Sequence, residues 1–300
     1  MRALPSHLPG FLKSTKAITD VGEYSREPDR WRQAGFAHNS TNAAAHFIDI
    51  YDDGMTFAGV SLDELPRSLF DYNIALEKKG EKPWKAGYLP YAQLEGYQLV
   101  TKDMAYWRVL SYLESREKDA VKRAWYKADR IRREELLLRD IGVLSHYIGD
   151  ATNPMHLSIH YNGWDKDAPN PQGFTTEPVH SPLEGDFIDK HITADLVRAH
   201  MPAVEVCASK IEVCLRERMK RNFKQLVPMY QLEKEGEFDK GTPKAVDFMS
   251  SLIGIGAADL RDIVINAWQD SKSLPVGYPG AAYDEFISGK VADPYTYLKD

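Results

Sequence analysis

The chain has 300 residues, a formal net charge of −6 at pH 7 and 43% hydrophobic residues. This length and apolar content are sufficient for a core of ordinary size. The negative net charge argues against binding of duplex nucleic acid through a broad basic surface. Bound metal ions would add positive charge that the formal net charge omits. We expect one domain over residues 1–300, because no linker, low-complexity run or internal repeat divides the chain.

Hydrophobic residues recur at helical intervals through most of the chain, and few stretches alternate with period two. Short helices and turns are expected over 1–30, a compact apolar segment over 31–60, and a Gly-, Pro- and Asn-rich loop over 157–178. Longer helices are expected over 61–80, 91–116, 118–150, 180–199, 203–226 and 244–269. The sequence therefore predicts an all-α fold.

Cys207 and Cys214 are the only cysteines, and both lie in the predicted helix over 203–226. Two turns of helix would place their Cα atoms roughly 10 Å apart, which is too far for a disulfide. We therefore expect no disulfide, and the cysteines indicate no compartment. No apolar run is long enough to span a membrane, and residues 1–10 lack the apolar core of a signal peptide.

The strongest chemical signal is a group of histidines and carboxylates between residues 146 and 184. His146 and Asp150 are four residues apart in a predicted helix, so their side chains share a face and can bind one ion. His180 and Glu184 have the same spacing. His156 follows a proline that should bend or end the helix, which allows its ring to turn toward the same centre.

Imidazole and carboxylate without thiolate favour a catalytic zinc-type site over a structural Cys-rich one. A single His–carboxylate pair also arises by chance on exposed helix faces, but two pairs and a further histidine in about forty residues favour a metal centre. Asp29 and His46 are the upstream candidates for further ligands. We interpret the histidines that have no such carboxylate partner as structural, namely His38, His160, His191 and His200.

At these residues the chain resembles the trinuclear zinc phosphoesterases. This superfamily includes the single-strand-specific nucleases of fungi and plants and the bacterial zinc-dependent phospholipases C. The stretch from His146 through Asp150 to His156 resembles the family's central H-x-x-G-D-x-x-x-P-x-H motif. His180 and Glu184 resemble the H-x-x-x-[D/E] pair that follows it.

Two upstream matches extend the resemblance over residues 27–184. His46-Phe-Ile-Asp49 resembles the H-F-I-D of the nuclease branch, and Asp29 lies where the family has its first metal-binding aspartate. The resemblance implies a multi-helix bundle of the phospholipase C and zinc nuclease type, with long loops around a metal cleft. It also implies a periplasmic or secreted protein with no obligate protein partner.

The resemblance further implies two to three zinc ions per chain. The implied ligands of the first zinc are Asp29, His46, His146 and Asp150. The implied ligands of the second are His156, His180 and Glu184. Asp150 would also reach the third, which the family completes with an N-terminal tryptophan and a nearby histidine. This chain begins with Met1 and offers only His7, so we expect the native N-terminus to be missing and the third site to be incomplete.

The activity that the resemblance implies is hydrolysis of phosphodiesters by metal-activated water. The His-Phe-Ile-Asp match favours a nuclease that acts on single-stranded DNA or RNA. Asp49 would orient the nucleophile or the substrate, and its alternative role is a capping carboxylate. The candidate substrate contacts are Phe47, Tyr161, Asn162 and Trp164. Their aromatic rings can stack on bases, surround a choline-like cation or pack in the core.

Two other functions stay open. Glu184 as a ligand and Tyr147 within the central motif favour a zinc-dependent phospholipase C, whose substrate is a phospholipid. The second alternative is a non-catalytic protein in which zinc only stabilises the fold.

Overall fold

The computed structural model describes residues 1–299, and it is mostly helical. Within that range there is no strand, only isolated β-bridges such as the one between Ile48 and Gly87. The predicted all-α class is therefore confirmed. The α-helices, numbered in chain order, are α1 (Thr15–Tyr24), α2 (Glu27–Trp31), α3 (Phe36–Asn42), α4 (Leu69–Lys78), α5 (Pro83–Ala86), α6 (Leu89–Arg116), α7 (Ala120–Asp150), α8 (Ile188–His191), α9 (Ala194–Ala199), α10 (Ile211–Phe223), α11 (Leu226–Lys234), α12 (Glu237–Lys240), α13 (Pro243–Asp270), α14 (Tyr283–Ile287) and α15 (Pro294–Lys299).

Shorter helical turns lie between these α-helices. The 3₁₀-helices are Gly10–Lys13, Ala43–His46, Leu62–Glu64 and Pro154–Leu157, and a π-helix spans Pro182–Phe187. None of the helices described over residues 1–299 has an apolar stretch long enough to cross a bilayer.

The chain forms two compact units. The first unit comprises residues 1–27, 95–145 and the residues from 261 onward, and the second comprises residues 28–94 and 146–260. The helices α2, α6, α7 and α13 contribute residues to both units. All seven predicted metal ligands belong to the second unit.

The first unit has an aromatic core. The indole Nε1 of Trp107 donates a hydrogen bond to Glu134 at 2.9 Å. The Arg108 guanidinium stacks 3.5 Å above the Trp268 ring, a cation–π contact of the kind that orders a half-buried arginine. The Tyr126 side chain is fully buried and lies edge-on to Trp125.

The core of the second unit holds the long loop over 157–178 against helices. Trp164 and Phe174 from this loop pack with Tyr230 of α11 and Met249 of α13. Met155 belongs to the same cluster and is 1% exposed. Because Met155 precedes His156 directly, burial of this side chain fixes the backbone at one of the predicted ligands.

The predicted helix over 61–80 is interrupted in the structure. Ser61 and Glu64 form a capping box around the 3₁₀-helix Leu62–Glu64, and Ser68 caps α4 by accepting a hydrogen bond from the Asp71 N–H. Pro66 lies between the two helices, where it prevents helical hydrogen bonding through the segment.

The prediction that Cys207 and Cys214 are too far apart is wrong. They form a disulfide, and their Cα atoms are 5.9 Å apart. The expected helix over 203–226 begins only at Ile211, after an irregular segment over 201–210. Lys210 has extended backbone angles (φ −59°, ψ 142°), so the chain turns before α10 and brings Cys207 back toward Cys214.

Gly87 supports the backbone that follows His46. Its φ is +82°, and a Cβ atom added there would lie 2.1 Å from the Phe47 carbonyl oxygen. We expect Gly87→Ala to lower the free energy of unfolding by about 3 kcal/mol, because backbone strain and displacement of Phe47 add together. Denaturant unfolding of the purified variant measures this change.

Gly80 provides the matched control. Its φ is +75°, but no atom lies within 4 Å of the added Cβ. Gly80→Ala should therefore cost only the strain, about 1 kcal/mol. Equal losses in the two variants would contradict the close approach of Gly87 to Phe47.

Candidate metal centre

The first ligand group forms at the carboxyl end of α7. His146 and Asp150 lie one helical turn apart, and His46 comes from the end of the 3₁₀-helix Ala43–His46. The His46 Nδ1 atom lies 2.9 Å from His146 Nε2 and 3.1 Å from Asp150 Oδ2. The His146 Nε2 and Asp150 Oδ2 atoms are 3.4 Å apart. Tetrahedral metal bonds of about 2.0–2.1 Å would separate ligand atoms by about 3.3 Å, so these separations fit one small cation.

Asp150 carries an unsatisfied oxygen in this group. Its Oδ2 atom is buried and makes no hydrogen bond to any residue of the 1–299 range. A buried carboxylate oxygen without a partner is costly, and a cation between Asp150, His46 and His146 would remove that cost.

Asp29 approaches the first group from the exposed side. It lies on α2, and its carboxylate oxygen is within 4.8 Å of ligand atoms of His46 and His146. The Arg32 Nη1 atom lies 4.0 Å from Asp29 Oδ1, one helical turn further along the chain. Asp29 and Asp150 therefore each lie near His46 and His146, the two histidines predicted to bind the first ion.

The second group contains His156, His180 and Glu184. The two Nε2 atoms are 3.1 Å apart, and Glu184 lies 3.1 Å from His156 Nε2 and 2.9 Å from His180 Nε2 through its two oxygens. Three potential ligand atoms therefore face one another in a compact group.

Backbone carbonyls determine which ring nitrogens face this group. The Nδ1–H of His156 donates to the His46 carbonyl at 2.7 Å, and the Nδ1–H of His180 donates to the Tyr161 carbonyl at 2.6 Å. A carbonyl oxygen only accepts, so each neutral ring keeps its lone pair on Nε2. Such outer hydrogen bonds fix the tautomer and orientation of metal-binding histidines.

Charge within the second group is strongly coupled. Burial alone would lower the pKa of His156, but the Glu184 hydrogen bond and the charges of Asp150 and Glu184 raise it to about 9. Burial alone would raise the pKa of Glu184, but hydrogen bonds with His156 and His180 hold it well below its usual range. Positive charge is therefore favoured here, and a metal ion would compete with protons for the same atoms.

The backbone also connects the two groups. The His156 ring donates to the carbonyl of His46, while the Ile48 N–H donates to the carbonyl of His156 at 2.9 Å. The Leu89 N–H donates a hydrogen bond of 3.0 Å to the Phe47 carbonyl, next to His46. Because these bonds are reciprocal, a displacement of either group displaces the other.

The two groups share one cavity of about 1330 Å³ in the second unit. All seven predicted metal ligands line it, together with Phe47, Asp49 and Tyr161. The imidazoles of 46, 146, 156 and 180, distant in sequence, therefore converge in a single cleft. His7 belongs to neither group of possible ligands in the described part of the chain.

Asp49 is a buried carboxyl in the wall of this cavity. Its Oδ1 atom has no hydrogen-bond partner among residues 1–299, so the structure does not show it as a capping residue. Burial and the neighbouring charge of Asp165 raise the pKa of Asp49 to about 8, against an opposing effect of His156. The sequence did not indicate Asp165, because its loop carries no diagnostic spacing.

Two of the predicted substrate contacts, Trp164 and Asn162, make interactions within the protein. Trp164 is 4% exposed, stacks on His160 at 3.6 Å between ring centroids, and donates through Nε1 to Pro169. A base cannot stack on a ring that is already covered. The Asn162 side-chain oxygen accepts from the N–H groups of Val179 and His180, both at 3.1 Å, and so positions His180.

The four histidines interpreted as structural belong to neither ligand group among the described residues. His160 is fully buried, donates to Asp52 at 2.9 Å and accepts from the Asp165 N–H. His200 bonds to Asp247 and to the Leu196 carbonyl. His38 contacts Asn42, and His191 packs on Phe187.

Comparisons of the chain with protein-family models, with curated proteins and with solved structures found no match. The site is therefore interpreted from its own geometry.

We expect the metal-free protein to take up two divalent ions per chain when titrated with zinc, one for each ligand group. His180→Ala should remove one ion and leave the other, because it takes a nitrogen from the second group only. Mass spectrometry under native conditions, with a colorimetric zinc assay, measures the stoichiometry. The His38→Ala variant is the matched control, because it removes an exposed histidine that belongs to neither group, and loss of both ions in His180→Ala would contradict two separate groups.

Proposed function

We propose that the protein is a zinc-dependent phosphodiesterase whose substrate is single-stranded DNA or RNA. The observation that carries this proposal is the presence of two ligand groups, coupled through the backbone, in one large cavity. The donor set supports zinc, because nitrogen and carboxylate ligands without thiolate are typical of catalytic zinc sites. Paired zinc ions, when bound, lower the pKa of water and neutralise phosphoryl oxygens.

Asp49 is the residue of the cavity best suited to handle a proton. Its carboxyl is buried, has a free oxygen, and has a pKa raised to about 8. A general base is most effective when its pKa lies near the working pH. Cations bound nearby would lower this value, so Asp49 would be ionised near neutral pH and ready to accept a proton from the attacking water.

Other side chains of the cavity suit a nucleic-acid strand. Arg32 and Lys85 provide positive charge for phosphates, and both line the same cavity as the ligands. Trp84 is 55% exposed and Tyr161 is 57% exposed. Exposed aromatic rings beside a metal cleft can stack on unpaired bases without regard to sequence.

A phospholipase C is the second candidate because of one feature of the same cavity. Asp165 and Asp167 lie on its wall with the rings of Phe57 and Tyr161. Carboxylates and aromatic faces together attract quaternary ammonium groups such as the choline of a phospholipid. A purely structural zinc role has less support, because structural sites are closed and this cavity is large.

The disulfide between Cys207 and Cys214 supports a location outside the cytoplasm. Disulfides persist in oxidising compartments and are rare where thiols are kept reduced. We therefore propose a periplasmic or secreted protein.

The proposed activity is tested by assaying one zinc-loaded preparation against single-stranded DNA, duplex DNA and phosphatidylcholine vesicles. We expect cleavage of single-stranded DNA, at least tenfold slower cleavage of the duplex, and no release of phosphocholine. A chelator should abolish the activity and added zinc should restore it. Release of phosphocholine without DNA cleavage would favour the lipase, and inactivity on all three substrates would overturn the phosphodiesterase proposal.

Asp49→Asn should lower kcat by about 10²- to 10⁴-fold while the zinc content stays at the wild-type value, because it removes a proton acceptor but no ligand. Asp167→Asn is the matched control, since it removes an exposed carboxylate from the same cavity. Its kcat should stay within a few-fold of wild type. An active Asp49→Asn enzyme with a full complement of zinc would refute the proton-acceptor role.

A further inference from the structure

Asn153 touches both elements that form the second ligand group. Its side-chain oxygen accepts a hydrogen bond from the Met155 N–H at 3.0 Å, which caps the 3₁₀-helix carrying His156. Its Nδ2 donates to Glu184 Oε1 at 2.7 Å. One amide thus spans from the His156 turn to the π-helix Pro182–Phe187, which carries Glu184.

The orientation of this amide follows from its partners. A backbone N–H can only donate, so the atom facing Met155 must be the oxygen of Asn153. The NH₂ group then faces the Glu184 carboxylate, which can only accept when ionised. No flipped orientation satisfies both contacts. The backbone of Asn153 is extended (φ −76°, ψ 115°), as the following Pro154 requires, so the side chain starts from a constrained position.

Glu184 is the ligand that most needs such support. Its side chain is 41% exposed, whereas those of His156 and His180 are 14% and 20% exposed. Carbonyl oxygens hold the two histidine rings through Nδ1. The Asn153 amide holds Glu184 through Oε1, the oxygen that also lies 3.1 Å from His156 Nε2, and a long carboxylate side chain is otherwise free to rotate into solvent.

We propose that Asn153 is a positioning residue of the metal centre: its amide holds Glu184 in the orientation that binds the second ion. This assignment depends on the proposed metal centre but not on the identity of the substrate. Outer-shell hydrogen bonds of this kind typically change metal affinity by about 10- to 100-fold. Asn153 serves two roles, as a cap and as a donor, and the two roles can be separated by substitution.

Two variants separate the capping role of Asn153 from its role as a donor to Glu184. Asn153→Ser keeps a side-chain oxygen that can cap the Met155 N–H but removes the donor to Glu184. Asn153→Ala removes both. We expect the two variants to weaken the binding of one zinc ion by the same factor, about 10- to 100-fold, and to leave the other ion unaffected. Only Asn153→Ala should lower the Tm of the metal-free protein.

Competition of the purified full chain with a chromogenic zinc chelator measures both dissociation constants, and His180→Ala identifies which constant belongs to the second group. Ser14→Ala is the matched control, because Ser14 caps α1 in the first unit by accepting from the Ala17 N–H at 3.1 Å. It should lower the Tm of the metal-free protein and leave both zinc constants unchanged.

The outcomes distinguish failure of this assignment from failure of the metal centre. If the wild type binds two ions and Asn153→Ser binds both with unchanged affinity, Asn153 does not position Glu184. If the loss of affinity follows the loss of Tm, with Asn153→Ala affected and Asn153→Ser not, Asn153 acts only as a cap. If the wild type binds no zinc, the metal centre itself is wrong, and this assignment with it.

Discussion

The geometry of the candidate metal centre depends on backbone carbonyl groups that fix the orientation of two imidazole rings. His156 and His180 each donate Nδ1–H to a carbonyl, and this leaves their Nε2 lone pairs 3.1 Å apart beside Glu184. Lone pairs and a carboxylate at these distances repel one another unless a proton or a metal ion lies between them. The hydrogen bonds that orient the two rings therefore favour the binding of a cation or a proton between His156, His180 and Glu184. When neither is bound, the surrounding fold must hold these three groups together against their mutual repulsion.

The fold meets that requirement by burying the residues next to the ligands rather than the ligands alone. Met155 adjoins His156 and lies in the aromatic core, and the Phe47 carbonyl next to His46 is held by the Leu89 N–H and covered by Gly87. His46 and His156 therefore belong to stretches of backbone that cannot move independently.

The sequence was informative where spacing determines geometry. Helical spacing paired His146 with Asp150, and the structure shows this pair at the end of α7. Contacts formed through the tertiary fold had no such signal, so the hydrogen bond from the His180 N–H to the Asn162 side chain was not expected. The disulfide between Cys207 and Cys214 was missed for the same reason, because the tertiary fold ends the helical pattern before Ile211. Val204 and Val206 continue a helical pattern but are 55% and 39% exposed, and apolar residues that find no core to pack against do not sustain a helix.

The division of the chain into units has a consequence for synthesis on the ribosome. Every proposed ligand has been made once residue 184 emerges, and the second unit is complete at residue 260. The first unit contains residues 1–27, but it is complete only when the residues from 261 onward have also been made. A nascent chain can therefore complete its metal-binding unit before the unit that contains residues 1–27, the reverse of the usual N-to-C order of domain folding.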